Sequence, residues 1–254
     1  MGQLQPGQSV LHRYRVVRLL GHGAMGEVWE GVHEELGMPV AIKVVIADRQ
    51  ELIDRFMREA RLMARVRHPN VVQIFDFGVL DEENPCIIME FLSGSNLDEW
   101  LEARKGIYTA ERLLDLCVQM TRALAALHRA QIIHRDVKPD NIIVREGRAH
   151  LVDLGLVTPL GSAMTLTTHG TEYFRDPELV RQALRGAKVH EVDGARFDLY
   201  AAGAVLYSIV EDSFPAHGSL SSISKRCPDS LQWIVRRAMA DLDSRYRDAA
   251  EMLA

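Results

Sequence analysis

The residues best suited to chemistry in this sequence are two carboxylates and an amide, Asp136, Asn141 and Asp153. Oxygen groups of this kind are the ligands that Mg²⁺ prefers, and one carboxylate remains to act as a general base. The apolar runs Ile142 to Val144 and His150 to Val152 predict two short strands joined by a turn. Such a strand pair brings Asn141 and Asp153 near each other, and a purely structural role does not account for the combination.

A glycine-rich segment, Gly21 to Val28, lies between two predicted strands and has the composition of a phosphate-binding loop. Glycines allow a tight turn and let backbone amides approach phosphate oxygens without a Cβ clash. The G-x-G-x-x-G spacing also occurs in dinucleotide-binding folds, and a plain hairpin turn can use it. A strand follows the glycines here, whereas a dinucleotide-binding fold requires a helix, so that fold is disfavoured.

A lysine, Lys43, stands inside the apolar strand segment Val40 to Ile46. Either its ammonium reaches water at a sheet edge, or it is held inward to bind phosphate and needs an anionic partner. Glu59, on the helix predicted to follow, is a candidate partner, and its alternative is a surface pair with Arg55 four residues earlier.

The elements that must position these residues are strands in the first ninety residues and helices in the remainder. This change of pattern predicts an α+β fold of two lobes, with a hinge near Glu90 to Gly94. The predicted strands are Tyr14 to Leu20, Val28 to His33, Val40 to Ile46, Val71 to Phe77 and Cys86 to Phe91. The predicted helices are Asp48 to Val66, Ala110 to Ala130, Asp198 to Val210, Gln232 to Ala240 and Asp248 to Ala254, with long irregular segments at Thr158 to His169 and Arg181 to Arg196.

Composition limits the function classes. The 254 residues carry 30 Lys and Arg against 35 Asp and Glu, a net charge of −5, which argues against a mainly electrostatic nucleic-acid binder. The three cysteines are far apart and form neither a disulfide framework nor a zinc ribbon, so a reducing, cytoplasmic setting is expected. The longest apolar stretch, Leu199 to Val210, is too short to span a bilayer and predicts a buried core helix.

Taken in order, these motifs resemble a eukaryotic-like (Hanks-type) serine/threonine protein kinase catalytic domain of the kind found in bacteria. The resemblance covers nearly the whole chain. It implies one kinase domain over residues 1–254, with a strand-rich N-lobe containing one main helix at 1–90, a hinge at 91–94 and a helical C-lobe at 95–254. It also implies ATP and Mg²⁺ as cofactors, and a protein substrate with a serine or threonine acceptor.

The resemblance implies a role for each matched residue. Asp136 accepts the substrate hydroxyl proton, Lys138 neutralises charge on the transferred phosphoryl group, and Lys43 pairs with Glu59 while contacting the ATP phosphates. Asn141 and Asp153 hold Mg²⁺. The residues implied to contact ATP are Leu20, Gly21, Gly23, Gly26, Val28, Ala41, Lys43, Met89, Glu90, Leu92 and Ile143.

Three further positions bear on substrate and structure. Lys138 within His-Arg-Asp-x-Lys-Pro favours serine/threonine over tyrosine substrates. Asp176 stands before Pro177 where the family usually has Ala, and Arg245 is expected to pair with Glu178. Arg175 replaces the apolar residue that many relatives place in the pocket beyond the phosphoacceptor.

The segment after Asp153 carries several threonines and no acidic residue, which suggests regulation by phosphorylation. A phosphate there can pair with Arg135, so we expect autophosphorylation on Thr165, Thr167 or Thr168, in trans through a transient homodimer. The alternatives are an ATP-binding pseudokinase scaffold and a small-molecule kinase. The resemblance also implies that the chain can be the cytoplasmic part of a longer, membrane-anchored protein.

Overall fold

The computed structural model describes residues 4–23, 26–45, 50–80, 84–103, 109–153, 158–159, 172–211 and 228–254. The chain divides into two compact units. The first comprises Met1–Arg67 and Val72–Ser93, and the second comprises His68–Val71 and Gly94–Ala254.

Among its described residues, the first unit has an antiparallel sheet of six strands in the order β1-β2-β3-β4-β6-β5 and one helix, α1 (Gln50–Met63), which packs on β5 and β6. Alternating buried positions on the strands form its core, which includes Val16, Trp29, Ile42 and Ile88. The strands are β1 (Ser9–Val10), β2 (Tyr14–Gly23), β3 (Gly26–His33), β4 (Pro39–Val44), β5 (Ile74–Leu80) and β6 (Asn84–Glu90).

The second unit is mainly helical. Its described helices are α2 (Leu97–Glu102), α3 (Ala110–Arg129), α4 (Pro177–Leu184), α5 (Gly194–Glu211), α6 (Asp229–Ala238) and α7 (Ala249–Leu253). Eleven residues of α5 are buried, and α3 and α6 pack against it, so the apolar stretch predicted to be a core helix is one. The strand-rich and helical parts confirm the predicted α+β fold class.

Short strands complete the second unit. The strand β9 (Ile142–Arg145) pairs with β10 (Arg148–Leu151) on one side and with β7 (Ser95–Asn96) on the other, while β8 (Ile132–Ile133) pairs with β11 (Thr158–Pro159). The strand–turn–strand predicted after Asn141 is therefore present. Position 147, in the turn, is a glycine with φ of 80°, a conformation that favours glycine.

The prediction of a long irregular segment from Arg181 to Arg196 is wrong. Helix α4 continues to Leu184, a short 3₁₀ helix follows at Val189–Glu191, and α5 begins at Gly194. The basic residues of this stretch are divided between elements: Arg181 is on the exposed face of α4, whose other face buries Leu179, and Arg196 is in the first turn of α5. The start of α2 carries a local sequence signal: Asn96 and Glu99 form a capping box, with each side chain bonded to the other's backbone amide.

Candidate active site

The carboxylate of Asp136 is held by the two side chains that follow it in the motif. Lys138 Nζ lies 3.2 Å from Asp136 Oδ2, and Asn141 Nδ2 donates to the same oxygen at 2.9 Å and to the Asp136 carbonyl at 2.8 Å. Asp136 and Lys138 are half-buried and Asn141 is buried. The side chain of Asp136 is therefore fixed in one orientation, as a general base requires.

Backbone hydrogen bonds hold the chain just before Asp153 next to the segment that contains Asp136 and Asn141. A 3₁₀ helix, Pro139–Asn141, leads directly into β9, and the Val152 amide donates to the Asn141 carbonyl at 2.9 Å. His134 Nε2 lies 3.0 Å from the Val152 carbonyl oxygen, so the segment before Asp136 is tied to the residue before Asp153. Asp153 itself has φ of 57°, the left-handed region, which aspartate tolerates better than most residues.

Asp198, on α5, binds the segment that leads into Asp136. The sequence did not predict this role. The Asp198 side chain is 1% exposed and accepts hydrogen bonds from the amides of His134 and Arg135, each at 2.8 Å. Arg135 has φ of 70°, a strained conformation for this residue, which the two hydrogen bonds to Asp198 offset. His134 and Arg135 precede Asp136, so Asp198 fixes the chain that leads into Asp136.

The third partner of Asp198 is His128, at the end of α3, whose Nε2 lies 2.9 Å from Asp198 Oδ2. Burial would raise the pKa of Asp198, but the hydrogen bond and charge of His128, together with His134, outweigh it and lower that pKa. The residue is therefore an anion at neutral pH. Because His128 and Asp198 are 70 positions apart, no local pattern links them.

In the first unit, four of the residues implied to contact ATP lie on one face of the sheet. Val28 is paired with Lys43 across β3 and β4, and Ala41 is paired with Met89 across β4 and β6. Directly opposed residues of antiparallel strands point to the same side, and Ala41 and Lys43 are two apart on one strand. This face is opposite to the one on which Ile42 enters the core.

Lys43 does not reach water at a sheet edge, since it is on an interior strand and only 6% exposed. A buried ammonium requires an anionic partner or ligand. Glu59 lies on α1 and is half-buried. The interior position favours the phosphate-binding interpretation of this lysine over the edge interpretation.

The glycine-rich segment forms the end of β2 and the start of β3, where Gly23 is paired with Gly26. Gly26 has φ of 127°, and a Cβ there would overlap the carbonyl oxygen of Val44. Gly21 has open space around its missing Cβ. The backbone conformation and the nearby Val44 carbonyl therefore require glycine at position 26. A Cβ at position 21 would meet no neighbouring atom.

The remaining residues implied to contact ATP lie at the sheet margin and in the second unit. Leu20 is exposed on β2, and Leu92 is half-buried just after β6. The Glu90 amide donates to the Gln73 carbonyl at 2.8 Å, so the Glu90 backbone would contact adenine through its carbonyl oxygen, as an acceptor. Ile143, on β9, is half-buried.

The donor set in the second unit fits a divalent cation bound together with phosphate. Both protons of the Asn141 amide are donated to Asp136, which leaves the amide oxygen directed elsewhere as a ligand. Mg²⁺ is usually bound by one or two protein oxygens and completed by substrate phosphates and water. No group of three or more His, Cys, Asp or Glu residues suited to a metal occurs among the described residues.

The expected pair between Arg245 and Glu178 is not formed. Arg245 Nη1 bonds Asp176 Oδ2 at 2.5 Å, and Glu178 instead accepts from Arg181 Nε at 2.7 Å and Gln182 Nε2 at 2.9 Å. The physical reason is that Asp176, standing where Ala is usual, offers Arg245 a carboxylate that is already buried.

Two other predictions concern substrate and regulation. Arg175 is half-buried and lines a pocket of the second unit that Asp136 also lines. Thr165, Thr167 and Thr168 lie outside the described residues.

Comparison with known proteins identifies the class. The protein kinase domain family matches this chain over residues 14–251, and the chain therefore belongs to the protein kinase family. It is 39% identical over 231 residues to the serine/threonine-protein kinase pkn2 of Myxococcus xanthus, covering 85% of this chain and 26% of that protein. It is 30% identical over 272 residues to the serine/threonine-protein kinase PrkC of Bacillus subtilis, covering 98% of this chain and 40% of that protein.

A third relative, the serine/threonine-protein kinase PknA of Mycobacterium tuberculosis, is 34% identical over 223 residues, covering 84% of this chain and 50% of that protein. The chain thus spans between about a quarter and a half of the length of these relatives. The predicted resemblance to bacterial Hanks-type serine/threonine kinases is confirmed. Across the described ranges, every helix is too short or too polar to cross a membrane.

Proposed function

We propose that this chain transfers the γ-phosphoryl group of ATP to serine and threonine hydroxyls of proteins. The observation that carries the proposal is the Asp136 carboxylate, held by Lys138 at 3.2 Å and by Asn141 at 2.9 Å. A fixed carboxylate beside an ammonium and an amide suits a reaction that needs positioning and charge stabilisation more than covalent chemistry.

The chain's own residues divide this work. Asp136 orients the acceptor hydroxyl and takes its proton, and Lys138 stabilises negative charge beside it. In the first unit, the buried ammonium of Lys43 binds phosphate oxygens and pairs with Glu59. Asn141 and Asp153 hold the cation. Bound Mg²⁺-ATP supplies the transferable phosphoryl group and the metal charge that neutralises it.

The domain organisation and location belong to the same proposal. Residues 1–254 form one kinase domain, with an N-lobe at 1–90, a hinge at 91–94 and a C-lobe at 95–254. The boundary between the two compact units, after Ser93, supports this division. We place the domain in the cytoplasm, where ATP is available, with protein substrates and without a nucleic-acid partner.

The proposal is tested by incubating the purified chain with Mg²⁺, labelled ATP and a serine- and threonine-rich protein, followed by analysis of the phosphorylated residue type. Asp136→Asn keeps the shape but cannot accept a proton, so we expect a rate loss of about 10²–10⁴-fold. Asp140→Asn is the matched control, because Asp140 is exposed in the same segment, and its rate should equal that of the wild type. Lys43→Met should also abolish transfer while the chain stays folded.

Two outcomes contradict the proposal. Wild-type protein that binds ATP but transfers no phosphate is a pseudokinase scaffold. Full activity in Asp136→Asn rules out the general-base role.

Regulation by autophosphorylation is the second part of the proposal. Arg135 lies next to Asp136 in a strained conformation held by Asp198, so a phosphate bound near it acts directly on the catalytic segment. We propose that Thr165, Thr167 or Thr168 receives this phosphate from a second copy of the chain, in a transient homodimer. A phosphate adds about −1.5 to −2 of charge to a segment that has no acidic residue.

The test replaces Thr165, Thr167 and Thr168 with alanine together and compares phosphate content and initial rate after preincubation with ATP. The variant should incorporate less phosphate and lose the activation seen in the wild type, whereas Ser162→Ala should behave as the wild type. Transfer in trans predicts that the wild-type rate of incorporation per molecule rises with protein concentration. A rate that is independent of concentration contradicts the homodimer, and an unaltered triple variant contradicts the switch.

A further inference from the structure

Asp176 and Arg245 form a buried ion pair outside the segment that contains Asp136. The side chains are 3% and 2% exposed, and Arg245 Nη1 lies 2.5 Å from Asp176 Oδ2. Arg245 also donates to the Arg196 carbonyl at 3.0 Å, and to the Ala240 carbonyl from Nε at 3.1 Å and from Nη2 at 2.9 Å. Its guanidinium carbon lies 5.0 Å from the centroid of the Tyr200 ring.

The other oxygen of Asp176 is used as well. Asp176 Oδ1 accepts from the Glu178 amide at 2.8 Å, so this residue caps the N-terminus of α4 while it binds Arg245. Arg196 and Tyr200 belong to α5, and Ala240 follows α6. The pair therefore fixes the first residue before α4 to two other helices of the same unit.

The side chain of Glu178, by contrast, bonds only to nearby residues of α4 within the part of the chain that the structure describes. Its partners Arg181 and Gln182 are three and four residues further along α4, and the side chains of Glu178 and Arg181 are 27% and 60% exposed. Hydrogen bonds from Gln182 and Arg181 lower the pKa of Glu178. Exposed pairs of this spacing contribute little to stability, so Glu178 is dispensable for holding the segment.

The segment that Asp176 anchors forms a wall of the pocket beside the catalytic residue. One side of this pocket is Arg135–Val137, which includes Asp136, another is Phe174–Asp176, and a third is the start of α5. Asp176 and Arg245 join the second side to the third through the Arg196 carbonyl. A shift of Asp176 therefore moves Phe174 and Arg175 relative to Asp136.

We propose that Asp176, through Arg245, is the residue that positions this pocket wall for the protein substrate, and that Glu178 has no part in it. The inference rests on the proposed kinase function, because the pocket matters only if a protein side chain is presented to Asp136. Asp176 is a positioning residue: it acts through Arg245 and the chain at Phe174 and Arg175, and it takes no part in the phosphoryl transfer itself.

The experiment compares Asp176→Asn with Glu178→Gln, two changes of carboxylate to amide that lie two residues apart. Three measurements are made on the whole chain: the kinetics of a peptide substrate, which give its KM and kcat, the KM for ATP, and the rate of slow ATP hydrolysis without peptide. A misplacement of this kind costs roughly a hundredfold in kcat/KM. We expect that loss for the peptide with Asp176→Asn, mostly in KM, with ATP hydrolysis and the KM for ATP unchanged. Glu178→Gln should match the wild type in all three.

Arg245→Lys provides a second route if Asp176→Asn does not fold, which circular dichroism will show. Lysine keeps the charge but lacks the planar fork that bonds Asp176, Arg196 and Ala240 together, so the peptide KM should rise in the same direction. The proposal is overturned if Glu178→Gln raises the peptide KM, or if Asp176→Asn lowers ATP hydrolysis as much as peptide phosphorylation. An inactive wild type contradicts the proposed function, whereas an active wild type with a normal peptide KM in Asp176→Asn contradicts only the positioning role.

Discussion

Replacement of Asp198 by asparagine tests whether the Asp198 carboxylate fixes His134 and Arg135, the two residues before Asp136. In the wild type one carboxylate accepts both the His134 and Arg135 amides at 2.8 Å, and His128 lies 2.9 Å from it. Asparagine offers one acceptor oxygen and an NH₂ group, so one of the two amides faces a donor and loses its bond.

The expected cost follows from these contacts. A hydrogen bond to a charged group contributes about 1.5–3 kcal/mol, and an amide left buried without a partner costs about 1–3 kcal/mol. In the variant, the strain of Arg135, of order 1–3 kcal/mol, is offset by only one of the two hydrogen bonds that Asp198 accepts in the wild type. These terms overlap, and we expect a loss of about 3 kcal/mol in the free energy of unfolding. For a domain of this size that corresponds to a fall of about 6–12 °C in melting temperature.

The assay is thermal unfolding followed by circular dichroism, together with kcat for a peptide substrate. Asp115→Asn serves as the control, because Asp115 is exposed and its carboxylate accepts from the side chains of Arg112 and Gln119 on the same helix, each at 2.9 Å. Exposed pairs of this kind contribute about 0–1 kcal/mol. We expect kcat to fall in Asp198→Asn, since the chain entering Asp136 is no longer fixed. A melting temperature close to that of Asp115→Asn would refute the reasoning.

Three further predictions follow from the geometry. Gly26→Ala should lower the melting temperature by several degrees and Gly21→Ala should not, because only the first adds a Cβ that overlaps the Val44 carbonyl; equal melting temperatures would contradict this. Asp153→Asn weakens metal binding without removing the base, so its rate should recover in part when Mg²⁺ is raised, and a rate insensitive to Mg²⁺ in the wild type would contradict the metal role. The pKa of Asp198 is lowered from 3.8 by folding, so its contribution to stability is present above that pH and lost as the pH falls through the folded-state pKa. The difference in unfolding free energy between wild type and Asp198→Asn should thus be constant near neutrality and shrink in acid.

The sequence predicted well those elements whose signal is local. Ala110 to Ala130 was predicted helical and α3 runs Ala110–Arg129, since its apolar period is regular and Thr109 caps its start. The strand–turn–strand after Asn141 was likewise predictable, because short apolar runs flank a Glu-Gly turn. The motif residues Asp136, Lys138 and Asn141 lie within bonding distance because they are close in the chain.

The sequence failed where partners are distant or where two carboxylates compete. Arg245 was assigned to Glu178, but Asp176 binds it, and only the burial of Asp176 in the folded unit decides between them. Asp198 is predicted from the sequence only as the first residue of an apolar helix, because its partners are 63 to 70 positions away. Such contacts depend on tertiary packing, which no local window contains.

The short segment around Asn70 has a consequence for synthesis of the chain. Asn70 Nδ2 donates to the Ala149 carbonyl at 2.7 Å and to Gln119 Oε1 at 3.0 Å, and the Leu151 amide donates to the Asn70 carbonyl at 2.8 Å. His68–Val71 thus belongs to the second unit although residues on both sides of it belong to the first. At about 5–20 residues per second, a ribosome makes Ala149 and Leu151 some 4–16 s after Asn70 itself. The nascent chain must keep these four residues available during that interval, and a truncated chain that begins at Gly94 leaves Ala149 and Leu151 without them.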